Sequence, residues 1–476
     1  MPSRLERPVT VTIQLPGQWK RISTGLESVK GKLNTFEAPD FDVLYDSPLL
    51  IGNQEYFQFD VEGVPHYVAI ENVAADVDRP KMIADLKTMV TAATALIGAV
   101  PYQHYTFLMM GRGGGGIEHS NSSSNQFDGT SLSTPTGYLR WLSFISHEYF
   151  HNFNVKRIRP LALGPFDYDQ ENLTNMLWVS EGLSVYYEDL VLVRAGLMTK
   201  EQYLAKLAAA IGTFVNATGH HYQSATEASQ NTWETGSGVA GDRNTTISYY
   251  NNGSMLGAML DLKIREGSGN RKSLDDVMRG LYKRYYLEKK RGFTDAEFRA
   301  ECEGAAGSDL GEIFEYASTT KEVNYAKYFA LAGLRLDAAN EDVEGGYIGL
   351  DTDPREIPPN EMPASGGRGG RGRARAFELV VTDFAAGSPA EAAGVMRGDK
   401  VVEVDGTAAT APVLNQTIGK KPAETVKLRV SRSGATLDIE VKVAKNFKTT
   451  YKLSAQAGAT AGQTAILDHW LRKGAL

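Results

Sequence analysis

Three side chains in one short run have the types and spacing to do chemistry: His147, Glu148 and His151, in Ser146-His-Glu-Tyr-Phe-His151. Residues four apart on a helix lie one above the other on the same face. Two imidazole nitrogens can therefore aim at one point, as a tetrahedral zinc site requires. Glu148, next to the first imidazole, can accept a proton from a water polarised by that ion, which is the chemistry of metal-assisted hydrolysis. Because H-E-x-x-H also arises by chance on core helices, a third ligand decides the matter. Glu181, in Trp178-Val-Ser-Glu181-Gly-Leu-Ser, is expected to be that ligand, leaving an open position for water. Its alternative is a solvated glutamate favoured near a helix N-terminus.

Two helices must position these groups. Leu142, Ile145, Phe150 and Phe153 give the first an apolar side to bury, and Pro160 is expected to stop it. Lys156, Arg157 and Arg159 then fall near its C-terminal end, where cations suit the macrodipole. The run Trp178–Leu190 reads as the second helix, with the acid just after its start. Ahead of both, Val9–Ile13, Phe41–Tyr45 and Tyr56–Val61 alternate as strands, and Tyr67–Ile70 is a further strand candidate. Pro80 to about Gly98 reads as an amphipathic helix and Tyr105–Met110 as a strand.

The glycine cluster 111–116 has no G-K-[ST] and no helix directly after it, which argues against a phosphate loop. Glycines also let a backbone approach a ligand closely. Gly115 and Gly116 are thus expected on an extended edge that pairs with a peptide, with Glu118 presenting a carboxylate beside the cleft. His119 receives no role. Thr199 and Gln202 form a capping-box pattern for another helix. Residues 216–245 read as a long loop, whose His220 and His221 are either solvated or a second metal site. Residues 274–330 read as further helices.

The whole chain bounds the function. Its 476 residues allow two to four domains, and a net charge of -7 argues against general nucleic-acid binding. The single cysteine, Cys302, excludes an intrachain disulfide and reads as a small buried hydrophobe. No run approaches the ~18 apolar residues of a membrane span. The N-terminus lacks a signal-peptide core, leaving the compartment open between the cytoplasm and, after removal of a signal, the periplasm or exterior.

The motifs Gly115-Gly116-Ile117-Glu118-His119, His147-Glu148-Tyr-Phe-His151 and Trp178-Val-Ser-Glu181-Gly182, in that order, resemble the glycyl aminopeptidase family, gluzincin peptidases of thermolysin-like fold with a C-terminal PDZ domain. The resemblance runs from about residue 40 to 445. It implies that Glu118 binds the substrate α-amine, in the place of a G-x-M-E-N glutamate. This chain departs from that pattern at Ile117 and His119, and in the 29 residues between His151 and Glu181. It also implies that Tyr250, or failing that Tyr249, bonds the oxyanion of the tetrahedral intermediate; a core tyrosine satisfied locally is the alternative. Family members carry a larger N-terminal β-domain, to whose end the first 70 or so residues correspond.

From Leu331 the period becomes that of strands. Gly345–Leu350, Phe377–Val381, Ser388–Gly406, Thr425–Val430 and Leu437–Val441 resemble a PDZ domain. The Gly/Arg-rich stretch 354–376 reads as an inserted flexible loop rather than a nucleic-acid contact. The fold class expected is multidomain α+β: a partial N-terminal β-region (1–75), a mainly helical catalytic domain (76–330), a PDZ-like β-domain (331–446) and a tail (447–476) docking through Trp470. One zinc ion on His147, His151 and Glu181, with Glu148 as base and Glu118, Gly115 and Gly116 at the substrate, is the expected site of a zinc aminopeptidase; the resemblance implies a preference for small N-terminal residues such as Gly or Ala. The rivals are a zinc endopeptidase whose PDZ domain captures substrate C-termini, and a non-catalytic PDZ scaffold.

Overall fold

Sheets and helices meet along one large core that runs from Phe59 to Leu471. A computed structural model describes residues 5–235, 245–356, 377–385, 387–419 and 421–474. The chain is mixed α+β: a β-rich start, a central helical body and a C-terminal PDZ-like β-unit.

The N-terminal strands form two small sheets, Val9–Thr12 with Thr35–Ala38 and Glu27–Ser28, and Arg21–Thr24 with Leu49–Gly52. Phe41–Tyr45, expected as a strand, is a helix. Its alternation is overruled by Asp40, whose side chain accepts the Val43 N–H at 2.8 Å and caps the turn. A third sheet then runs in the order Glu55–Val61, Val64–Glu71, Tyr105–Met110, Ser122–Gln126, Gly115–Glu118. The boundary expected at residue 75 lies between strands of this one sheet. Arg79–Ile97 crosses over between the two parallel strands Val64–Glu71 and Tyr105–Met110, burying Met82, Leu86, Met89 and Val90.

The helical body that follows is built on Pro135–Phe150, Gly182–Ala195, Lys200–Val215 and Tyr249–Gly267. Lys200–Val215 opens with the full capping box of Thr199 and Gln202. The stretch 216–245 is not all loop. It contains a turn at Thr218–His221 and the helix Ala225–Gln230, started by a capping box of Ser224 and Glu227, then Thr232–Thr235; residues 236–244 lie outside the described residues. Leu274–Leu281, Asp295–Ala306 and Gly311–Ser318 supply the expected later helices, and Cys302 is fully buried between them.

Beyond them, Leu334–Tyr347 pairs antiparallel with Ala444–Ala455, so the start of the expected tail is a strand. Between these two strands sits a separate core around Leu379, Val404, Leu428 and Val441. Its sheet runs Leu350–Glu356, Phe377–Phe384, Lys400–Val404, Thr425–Arg432, Ala435–Lys442, with helix Ala411–Gly419 alongside. Of the Gly/Arg-rich stretch, residues 357–376 lie outside the described residues. The last helix, Ala461–Trp470, returns to the main core, where Trp470 is fully buried and donates through Nε1 to the Tyr186 hydroxyl at 2.8 Å. No helix among the described residues is long and apolar enough to cross a membrane.

Candidate active site

Thr134 caps the helix Pro135–Phe150, its hydroxyl oxygen accepting the Gly137 N–H at 3.1 Å. The helix ends at Phe150 with His151 as its C-cap, nine residues before Pro160. Turns, not the proline, stop it. The cations beyond it serve the fold in other ways. Lys156 pairs with Asp46 at 2.6 Å, and Arg157 donates to the carbonyls of Asn152, Ser120 and Pro101. His151 keeps helical geometry because its N–H still reaches the His147 carbonyl, so both imidazoles stay on one face.

Their rings stand at 88° with Nε2 atoms 2.9 Å apart. Glu181 lies at the kink between Leu177–Ser180 and Gly182–Ala195, and its Oε2 is 3.4 Å from His147 Nε2 and 3.1 Å from His151 Nε2. These three atoms are the metal-ligand set expected from the sequence, brought together from two helices.

The residues fit a cation. His151 Nδ1–H donates to the Asn154 carbonyl at 2.6 Å, and His147 Nδ1 lies 3.0 Å from Glu188 Oε2. Each contact favours a proton on Nδ1 and an Nε2 lone pair turned inward, the usual orienting device of metal-bound histidine. Glu181 Oε2 is buried and accepts no hydrogen bond. Three electron-pair donors thus face one another when the imidazoles are neutral, an arrangement that a bound cation or protons on the imidazoles reconcile. Burial works against charging the imidazoles, but Glu181 and Glu188 outweigh it. His147 is held well above its ordinary range and His151 is raised to about 8. The same imidazoles hold Glu181, against its burial, well below the usual carboxylate range.

Glu148 lines the same cavity, of about 480 Å³, with Glu118, Gly115, Gly116, Arg140, Lys206 and Tyr250. Burial pushes its carboxyl up to about 7 against the pull of both imidazoles, with Glu118 and Glu181 adding repulsion. Gly115–Glu118 is the outer strand of its sheet and runs along the rim. A Cβ on Gly116 would lie 2.2 Å from Glu148 Oε1, so the missing side chain is what lets the carboxylate sit against this strand. His119, without a role in the sequence, pairs through Nδ1 with Asp46 at 3.2 Å and ties the strand to the N-terminal region.

Tyr250 is carried by Tyr249–Gly267, whose first turn touches the ligand helix through two glycines: a Cβ on Gly182 would lie 2.4 Å from Gly253 Cα. Its ring centroid is 6.2 Å from that of His147, and burial raises its hydroxyl above the ordinary range, so it remains a hydrogen-bond donor. Tyr249 stacks on it at 4.9 Å but sets its own hydroxyl 3.1 Å from Thr232 Oγ1, which leaves Tyr250 as the tyrosine of the cavity.

Sequence reasoning gave no role to Glu188 or Asn154. Glu188 lies two helical turns after Glu181 on the same face, a spacing that is readable once Glu181 is a ligand. Asn154 also donates to the carbonyls of Val179 and Ser180 at 3.0 and 2.9 Å, locking the start of the ligand helix to the end of the histidine helix. Nothing local in the sequence marks it.

Residues 140–256 match the family model described as M61 glycyl aminopeptidase, residues 1–53 that of the peptidase M61 N-terminal domain, and residues 346–443 that of the PDZ domain. The crystal structure of an aminopeptidase N family protein from Idiomarina loihiensis superposes with a TM-score of 0.80 at 24% identity, covering 98% of this chain and 80% of that one. An M1 zinc metallopeptidase from Deinococcus radiodurans aligns at a TM-score of 0.45 and 12% identity, over 67% of this chain and 64% of that one. No curated protein matches. The resemblance to the glycyl aminopeptidase family holds in chain order, with that family's N-terminal domain ahead of the peptidase region and a PDZ domain behind it.

Proposed function

We propose that this protein is a zinc-dependent aminopeptidase that hydrolyses the first peptide bond of substrates with a free N-terminus, with Gly or Ala preferred there. The observation that carries the reading is the convergence of His147 Nε2, His151 Nε2 and the unbonded Glu181 Oε2 beside Glu148, in a cavity rimmed by a strand with a free edge. The preference for glycine is supported by the family description alone.

A single zinc ion held by His147, His151 and Glu181 would supply a Lewis acid for the scissile carbonyl and acidify the attacking water. Glu188 and the Asn154 carbonyl hold the two imidazoles in the tautomer that leaves Nε2 free. The Glu148 carboxylate takes the proton of the attacking water and passes it to the leaving nitrogen. Tyr250 donates its hydroxyl hydrogen to the carbonyl oxygen as charge builds there, the kind of contribution that usually dominates the rate. The backbone of Gly115 and Gly116 pairs with the substrate as an added strand, and Glu118 pairs with its ammonium group. In the PDZ-like unit, the free edge of Leu350–Glu356 beside helix Ala411–Gly419 is proposed to hold a peptide C-terminus.

Glu148→Gln is expected to lower kcat by about a hundred- to ten-thousand-fold on aminoacyl chromogenic substrates while the metal content stays at the wild-type level. Near-normal turnover of the metal-loaded variant would overturn the mechanism. N-acetylated peptides should resist cleavage. Their efficient hydrolysis would favour the endopeptidase reading, and activity insensitive to chelation would remove the metal from it.

A further inference from the structure

A second group of metal-binding side chains lies outside this cavity. We propose that His220, His221 and Glu322 form a separate site for a divalent transition-metal ion of the zinc class, one that pins the segment leading into Tyr250.

Glu322 Oε1 lies 3.6 Å from His220 Nε2 and 3.7 Å from His221 Nδ1, and the three atoms all lie within 4.8 Å of one another. Tetrahedral zinc with bonds of about 2.0–2.2 Å sets its ligand atoms roughly 3.4 Å apart, so the two shorter spacings fit with little movement. His220 is pre-oriented. It is buried, its Nδ1–H donates to the Ala217 carbonyl at 2.6 Å, and the Phe214 ring lies 5.3 Å from its own. Its Nε2 lone pair is therefore aimed at the carboxylate, two acceptors facing each other as in the catalytic cluster. No lysine or arginine among the described residues pairs with Glu322, while its neighbour Lys321 is taken by Glu315 at 2.6 Å. His221 and Glu322 are exposed, so solvent can fill the remaining position and an ion can enter without the fold opening.

The position gives the site a consequence. Gly219 is pressed onto Thr246, where a Cβ would lie 2.0 Å from the carbonyl oxygen. Gln223 Oε1 accepts the Ile247 N–H at 2.9 Å. An ion bridging the turn Thr218–His221 to Glu322 thus fixes the segment that holds the chain entering helix Tyr249–Gly267.

The test is a count of ions per chain on the full protein, dialysed against zinc or cobalt above the imidazole titration range, with thermal unfolding alongside. Wild type should hold two ions; His221→Ala and Glu322→Gln should each hold one, with the affinity of the second ion down by at least about tenfold. Both variants alter exposed side chains, and circular dichroism checks that they fold. His151→Ala should keep the ion at His220 while losing the other. A wild-type stoichiometry equal to that of Glu322→Gln, with no metal-dependent rise in Tm lost in the variant, would overturn the second site and leave the aminopeptidase reading untouched. Loss of both ions in His151→Ala would also count against it.

Discussion

Glu188 lines the cavity, and its contact with His147 makes it a control on the proposed metal. Its Oε2 sits 3.0 Å from His147 Nδ1, on the far side of the ring from the ligand cluster. Glu188→Gln keeps the shape but removes the charge that orients and strengthens the imidazole. Zinc affinity is expected to fall by about 10–100-fold, with activity recovered at saturating zinc. A competition titration against a chromophoric chelator measures this; unchanged affinity would show that Glu188 is only packing. Neighbouring Asp189 is a different case. Burial raises its carboxyl to about 6, and it is steadied by Lys206 at 2.6 Å and the Ser143 hydroxyl.

Among the elements, the edge strand Gly115–Glu118 is the most constrained by what it lacks. In Gly116→Ala the new Cβ meets the far end of a flexible side chain, Glu148, so the carboxylate moves rather than the backbone. A displacement of the order of 1 Å at a catalytic base costs about a hundredfold in rate. The variant should lose activity on that scale with Tm and metal content unchanged; a parallel drop in Tm would assign the glycine to folding instead. Further across the same sheet, the strand Val64–Glu71 sets a pH limit. His66 is fully buried, donating from Nδ1 to the Val64 carbonyl with its Nε2 2.8 Å from the Tyr102 hydroxyl, and burial depresses it from 6.5 to about 4. The unfolded chain takes up this proton before the folded one does. Its contribution to stability is therefore complete above about pH 6.5 and is lost as the pH falls to about 4, amounting to about 3 kcal/mol at most. Denaturant midpoints measured across that range should fall in wild type and flatten in His66→Gln.

At the scale of the whole molecule, the last helix returns to the main core. Trp470 packs on Tyr203 with ring centroids 5.7 Å apart and donates to Tyr186, a residue of the ligand helix whose own hydroxyl donates to Asp261 at 2.6 Å. Trp470→Ala should cost about 3–5 kcal/mol, read from chemical denaturation of the full chain. A loss below about 1 kcal/mol would mean the last helix is dispensable. The ribbon of Leu334–Tyr347 and Ala444–Ala455 carries the PDZ-like unit out from this body and back. We propose that the unit is bounded near residues 346 and 443, with the ribbon as its stem.

What was legible in the sequence was whatever nearby residues decide. The H-E-x-x-H face, the capping box at Thr199, the amphipathic helix after Pro80 and the candidate ligand Glu181, which the fold brings beside the two histidines, depend on spacings of a few residues or on a motif. Local chemistry also misled where a competing signal was missed. Asp40 capped Phe41–Tyr45 into a helix, Ser224 and Glu227 started another inside a supposed loop, and Pro160 was credited with a stop that the turns after His151 had already made. The pairing of Leu334 with Ala455, the seat of Trp470, the lock of Asn154 on Val179 and the approach of Glu188 to His147 were decided only by the tertiary structure. Each depends on where distant segments come to rest. That is fixed by burying one shared core, in which every helix and strand limits the places left for the others.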